Sequence, residues 1–261
     1  MRLVLASQSP ARLTLLRNAG FAPEAIVSGV DEDAFDATSP VELALVLARA
    51  KARAVARRVE PGALVIGCDS VLDLDGNALG KPTDAEDAIR RWKTMRGREG
   101  ILVTGHCLID TRPTDADAVT DAEATPEQAA LSTEDASAVE SDGAGDAGAG
   151  AGADGSGGTG SSSGGSGTGD RGGDWREVTR AGATLVQFAD ISDAEIEAYV
   201  STGEPLNVAG AFTLDGIGGS FVESIGGDPS NVIGLSLPLL RQMLAEFGIS
   251  VADLWPDPLK G

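Results

Sequence analysis

The sequence predicts an α/β fold, and three observations carry that reading. Strand-like and helix-like runs alternate along the chain, which is the pattern of helices packed on a sheet. Several helical runs open on a Ser or Thr followed three residues later by Glu, the pairing that satisfies free amides at a helix start. The run 63–69 is apolar up to its final aspartate, as a strand buried on both faces would be.

The elements follow in order. Residues 2–6 read as a short strand, and Pro10–Asn18 as a helix with Ser9 as its N-cap, Pro10 at the first helical position and Gly20 past its end. A short apolar run at 25–27 leads into the acidic triplet Asp31, Glu32 and Asp33. Ser39 with Glu42 opens a long amphipathic helix reaching about Arg58. The buried strand 63–69 comes next, and the stretch 71–77 ends in the turn signal Asp75-Gly76-Asn77. Thr83 with Glu86 opens another helix. Strands are expected over 101–110 and 177–188, a helix behind Ser192 and Glu195, and a last amphipathic helix over 236–247.

Between the last two strands lies a segment of different composition. From 111 to 176 there are 13 acidic and 3 basic residues, half of the chain's net charge of −20. Fifteen glycines fall between 141 and 173, with almost no bulky apolar side chains. Such a segment cannot bury enough surface to offset the entropy of ordering it, so 111–176 is expected to be a disordered acidic Gly/Ser insertion. It would interrupt a single domain made of 1–110 and 177–261.

Composition also excludes functions. No basic stripe exists to displace counterions from a nucleic acid. No charged leader and no run of roughly 20 apolar residues is present, so a soluble cytoplasmic protein with no membrane partner is expected. Cys68 and Cys107 each fall inside an expected strand without metal-type spacing, which predicts buried reduced thiols.

Four places break the packing logic. Ser7 and Ser9, with the amides entering the first helix, form an anion-binding arrangement, and Arg12 lies one turn in. The triplet at Glu32 offers hard oxygen ligands to a divalent cation. Asp69 ends a buried strand, where a carboxylate takes a proton or holds a metal. Lys81 is held between a glycine and a proline, and Lys51 lies among alanines in a helix. Carboxylates for a metal and cations for an oligophosphate are the equipment of phosphoryl transfer. No G-x-x-x-x-G-K-[ST] loop occurs, so any nucleotide is handled outside a P-loop. His106, the one histidine, reads as a packed strand residue.

Seven segments then carry a resemblance: LASQSPAR, SGVDED, LARAKA, GCDSVL, LGKP, VAGAFTLDGIGG and GDPSNVIGLSLPLL, in that order. Together they resemble the Maf-type nucleoside triphosphate pyrophosphatases, on both flanks of the insertion. The resemblance implies a central twisted mixed sheet flanked by helices around a deep nucleotide cleft. It implies hydrolysis of a nucleoside triphosphate to a monophosphate and pyrophosphate with Mg²⁺ or Mn²⁺, and a homodimer. It makes Asp69 the proton acceptor, with Glu32 sharing the metal and supporting the water. Ser7, Arg12, Lys51 and Lys81 match phosphate-gripping positions. Ser70 and Asp215 stand at substrate-contacting positions where the branch acting on dTTP and UTP carries Thr and Gln, and Ala11 replaces the first of two family arginines. Clearance of modified nucleotides is one purpose such an enzyme would serve. The alternative reading is a nucleotide-binding regulator of cell division with little catalysis.

Overall fold

A computed structural model describes residues 1–113 and 175–256. The expected insertion falls mostly on 114–174, outside the described residues. Its two expected ends fall inside them: Thr111 exchanges hydrogen bonds with Ala63, and Arg176 pairs with Asp110.

The strands are β1 (Arg2–Leu5), β2 (Glu24–Ala25), β3 (Ala63–Leu74), β4 (Asn77–Leu79), β5 (Glu99–Asp110), β6 (Arg176–Phe188) and β7 (Val222–Gly226). The helices are α1 (Pro10–Asn18), α2 (Pro40–Ala56), α3 (Ala85–Met95), α4 (Asp193–Ser201), α5 (Pro229–Ile233) and α6 (Leu237–Glu246). One mixed sheet runs in the order β2-β1-β3-β5-β6-β7, with β4 also on β3. β1 is parallel to β2 and β3, and the other pairings are antiparallel.

Two expectations are corrected. The strand read as ending at Asp69 continues to Leu74, because Ser70 and Val71 stay paired with Thr104 and Val103 of β5. Asp69 therefore lies within a strand, at the place where the shorter neighbour β1 has already stopped. The α3 cap is Asp84, whose carboxylate accepts from Asp87 N, and Thr83 N donates to Asp87 Oδ2 instead. The stronger Asx acceptor won the position.

The sheet's two faces are covered differently. On one, α2 lies almost on the backbone. A Cβ at Gly105 would stand 2.1 Å from Ala44 O, and one at Gly67 would stand 2.4 Å from Ala48 O. The opposite face holds two apolar clusters. One gathers Leu5, Leu16, Ile66, Leu108 and Leu240, between β1, β3, β5, α1 and α6. The other gathers Leu72, Trp92, Leu102, Phe188 and Tyr199, under α3 and α4. Between them a polar seam, Ser70, Thr104 and Thr184, crosses three strands, and Asn231 of α5 closes it. Among the described residues no helix is long and apolar enough to cross a membrane.

Candidate active site

The site forms in the notch left by the early end of β1. β3 pairs with β1 through Ile66 and with β4 from Leu72, so 67–71 have a neighbour on the β5 side only. The chain leaving β1 turns at Ser7, whose amide bonds Leu5 O, and Ser9 then caps α1.

Arg12 is held from three sides. Its Nε donates to Gly234 O at 2.7 Å, Nη1 to Ser7 Oγ at 3.2 Å and Nη2 to Ser70 Oγ at 3.0 Å. A guanidinium carries five N–H donors, so the two Nη hydrogens not used here remain for an anion. Ser7 Oγ accepts both from Arg12 and from Ser9 N, at 3.1 Å. Its lone pairs are thereby used, and its own proton is available for an outside acceptor.

From the opposite face α2 supplies Lys51. The ammonium is 2.5 Å from Asp69 Oδ1 and 2.6 Å from Glu32 Oε1, with Lys51 and Asp69 both buried. Of the acidic triplet, Glu32 reaches this group, while Asp31 caps its own short turn. Burial, the largest influence, pushes the Asp69 carboxyl above the usual carboxylate range, against the opposing charges of Lys51 and Arg12. Burial also pushes Glu32 upward, but the Lys51 hydrogen bond and the charges of Lys51, Lys81 and Arg12 outweigh it, so Glu32 is held below its ordinary value. Exposed Lys81 is thus near enough to act on Glu32. Its loop is tied down at Gly80 O, which accepts from Arg91 Nη1 at 2.7 Å and from Gly210 N at 3.1 Å.

Ser7, Arg12, Glu32, Lys51, Asp69, Ser70 and Lys81 therefore come together, and their three cations exceed the two carboxylates by one charge. Ser70 does so differently from expectation: its hydroxyl faces Arg12 and Thr104 rather than open space. Asp215 does not join the cluster; it is exposed on a turn built around Glu204 and bonds none of these groups. Glu204 accepts from Tyr199 OH, Thr213 Oγ1 and the amides of Ile217 and Gly218. Sequence reading missed Thr104, Glu204 and Asn231. Asn231 lies inside the segment GDPSNVIGLSLPLL, but only folding shows what it touches.

The donor chemistry suits a hard divalent cation. Lys51 already places a positive charge between two carboxylate oxygens, and Mg²⁺ commonly takes one or two carboxylates and completes its shell with phosphates and water. Among the described residues no three His, Cys, Asp or Glu side chains converge as a closed metal cage. Cys68 and Cys107 are free and buried, and burial pushes both thiols up to about 12, so neither is a nucleophile or ligand at neutral pH.

Comparison with known proteins shows the family of the chain. A family model described as Maf-like protein matches residues 2–167 and 168–247. A nucleoside triphosphate pyrophosphatase of Streptomyces coelicolor is 49% identical over 255 residues, covering 97% of this chain and 94% of the relative. The protein of the same name from Streptomyces avermitilis is also 49% identical over 255 residues, with the same coverage. That of Salinispora tropica is 44% identical over 259 residues, covering 98% of this chain and 88% of the relative.

Proposed function

The chain belongs to the Maf-like family, and from that premise we propose that it is a nucleoside triphosphate pyrophosphatase. It hydrolyses the bond between the α and β phosphates and releases a nucleoside monophosphate and pyrophosphate. The observation that carries the reading is the buried Asp69 carboxylate, raised in basicity, inside a cluster whose net charge is positive.

Each residue has a distinct task. Asp69 orients a water and takes its proton as oxygen adds to phosphorus and the bridging P–O bond breaks. Arg12 offers its two remaining N–H groups, and Ser7 its hydroxyl proton, to phosphate oxygens. Lys51 and Lys81 balance the charge that grows on the leaving pyrophosphate, a role that works best when the cations are already in place. Asp69 and Glu32 would hold Mg²⁺ or Mn²⁺, which supplies neutralisation of phosphate charge. Asp215, which only accepts when ionised, would favour a base edge presenting an N–H, as uracil and thymine do. The reading extends to a cytoplasmic homodimer with no nucleic-acid partner, clearing unwanted nucleotides.

The test is a panel of each nucleoside triphosphate against Mg²⁺ and Mn²⁺, scored for pyrophosphate and monophosphate together. Equimolar release of both is expected from at least one base. Orthophosphate as the product, or no release from any base, would sink the assignment. A strong purine preference would sink the lean toward uracil and thymine while leaving the chemistry, and an N–H contact at Asp215, intact.

A further inference from the structure

The polar seam between the two apolar clusters sends a hydrogen-bond chain into the site, and its direction can be worked out. Thr104 Oγ1 donates to Asn231 O at 2.9 Å. Its single proton is thereby used, so in the 2.9 Å contact between Ser70 Oγ and Thr104 Oγ1 it must be Ser70 that donates. Ser70 then has only lone pairs to turn toward Arg12 Nη2. The chain reads Arg12 to Ser70 to Thr104 to the Asn231 carbonyl, every proton assigned.

Its far end is fixed. Asn231 is buried, and its Nδ2 donates to Leu102 O and to Thr184 Oγ1, both at 3.1 Å, pinning α5 to β5 and β6. Its Oδ1 has no hydrogen-bond partner and rests over Gly182, where a Cβ would stand 2.4 Å away. Three residues on, Gly234 O takes Arg12 Nε directly. One short segment of the C-terminal half thus grips the guanidinium twice, once by its own carbonyl and once through the seam.

We propose that Thr104 and Asn231 are positioning residues that set the orientation of Arg12, and that Ser70 acts on the guanidinium rather than on the substrate. The inference rests on the reading of Arg12 as a phosphate grip. Free rotation of an arginine side chain would cost affinity on every binding event, and the seam removes that cost before the substrate arrives.

A double-mutant cycle tests it, with inorganic pyrophosphate and Mg²⁺ as probe, binding read by calorimetry and KM and kcat read with the preferred nucleotide. Thr104→Val keeps the shape and deletes the hydroxyl; Thr104→Ser keeps the hydroxyl; Ser70→Ala cuts the same chain at its solvent end, should the valine variant fold poorly. Thr104→Val and Ser70→Ala are expected to weaken pyrophosphate binding by roughly 3- to 10-fold and to raise KM more than they lower kcat, with Thr104→Ser near wild type. In an Arg12→Lys background neither should add more than about 1.5-fold, since residues acting through one another are non-additive. Unchanged binding in Thr104→Val and Ser70→Ala, or the same loss in both backgrounds, overturns the inference. Wild-type pyrophosphate affinity in Arg12→Lys alone instead overturns the phosphate-grip reading, and the inference falls with it.

Discussion

His106 gives a stability prediction with a magnitude. It is fully buried on β5, and its Nε2 accepts the amide proton of Ser236 at 2.8 Å. A backbone N–H can only donate, so Nε2 carries no proton and the ring is neutral. Burial, first among the causes, and the Arg12 charge push its pKa from 6.5 down to about 4. Above about 6.5 the ring is neutral folded and unfolded, and its contribution to stability is whole. As pH falls, the unfolded chain takes a proton that the folded chain refuses until about 4, so stability is lost across that window. At about 1.4 kcal/mol per unit the complete loss is about 3 kcal/mol, of which about 2 kcal/mol falls between pH 7.5 and pH 5. This is the chain's one histidine, which makes the difference clean. Urea unfolding of the wild type and of His106→Gln at the two pH values would measure it. Asp69, raised by burial, titrates in the opposite sense, but it does so in both proteins and cancels from the comparison. An equal loss in both proteins would refute the assignment of a neutral, amide-bonded ring.

Three further outcomes are expected. Asp69→Asn should lower kcat by about 100-fold or more, far more than it weakens pyrophosphate binding, and the wild-type acid limb of kcat should lie above the ordinary carboxylate range; near-normal turnover in a Mg²⁺ assay would remove Asp69 as the base. Gly105→Ala puts a methyl group 2.1 Å from Ala44 O, so α2 must lift and carry Lys51 with it; thermal unfolding should show a loss of about 3 kcal/mol or more, and an unchanged transition would mean α2 is less closely seated than described. Exchanging residues 114–174 for a short Gly/Ser loop should leave kcat within about two-fold, since β5 and β6 pair along their whole length and loop length has a slow effect on closure entropy; a larger loss in steady-state assays would give that segment a part in the site.

What was legible in the sequence is what local chemistry writes there. Ser9, Ser39 and Ser192 each accept the amide expected of a cap, because a short hydroxyl before a helix leaves the backbone few other choices. Asp69, Glu32, Lys51 and Arg12 stood out because a charged residue in an apolar or alanine-rich run needs a reason. The continuation of β3 past Asp69 was not legible. A single polar pair, Asp69-Ser70, looks like a strand end until β5 supplies partners on the far side. Thr104 and Asn231 were hidden for a related reason: uncharged and short, they resemble ordinary strand and turn residues, and their meaning lies in contacts across 127 positions of sequence.

That separation also bears on how the site is built. Lys51 and Asp69 meet on the face where α2 lies flush against the glycines of β3 and β5, whereas Arg12 and Ser70 meet on the other face. Asp69 and Ser70 are neighbours in one strand, so their side chains must point to opposite sides. Because β1 stops short, the two half-sites share one open edge instead of being divided by a neighbouring strand. Asp69 and Arg12, the proposed proton acceptor and the proposed phosphate grip, are therefore held by separate packing: the first by how closely α2 sits, the second by how α5 is pinned. A change in the glycines under α2 should act on the acceptor and its lysine, and a change in the seam should act on the guanidinium, so kcat and phosphate affinity are separable in this fold.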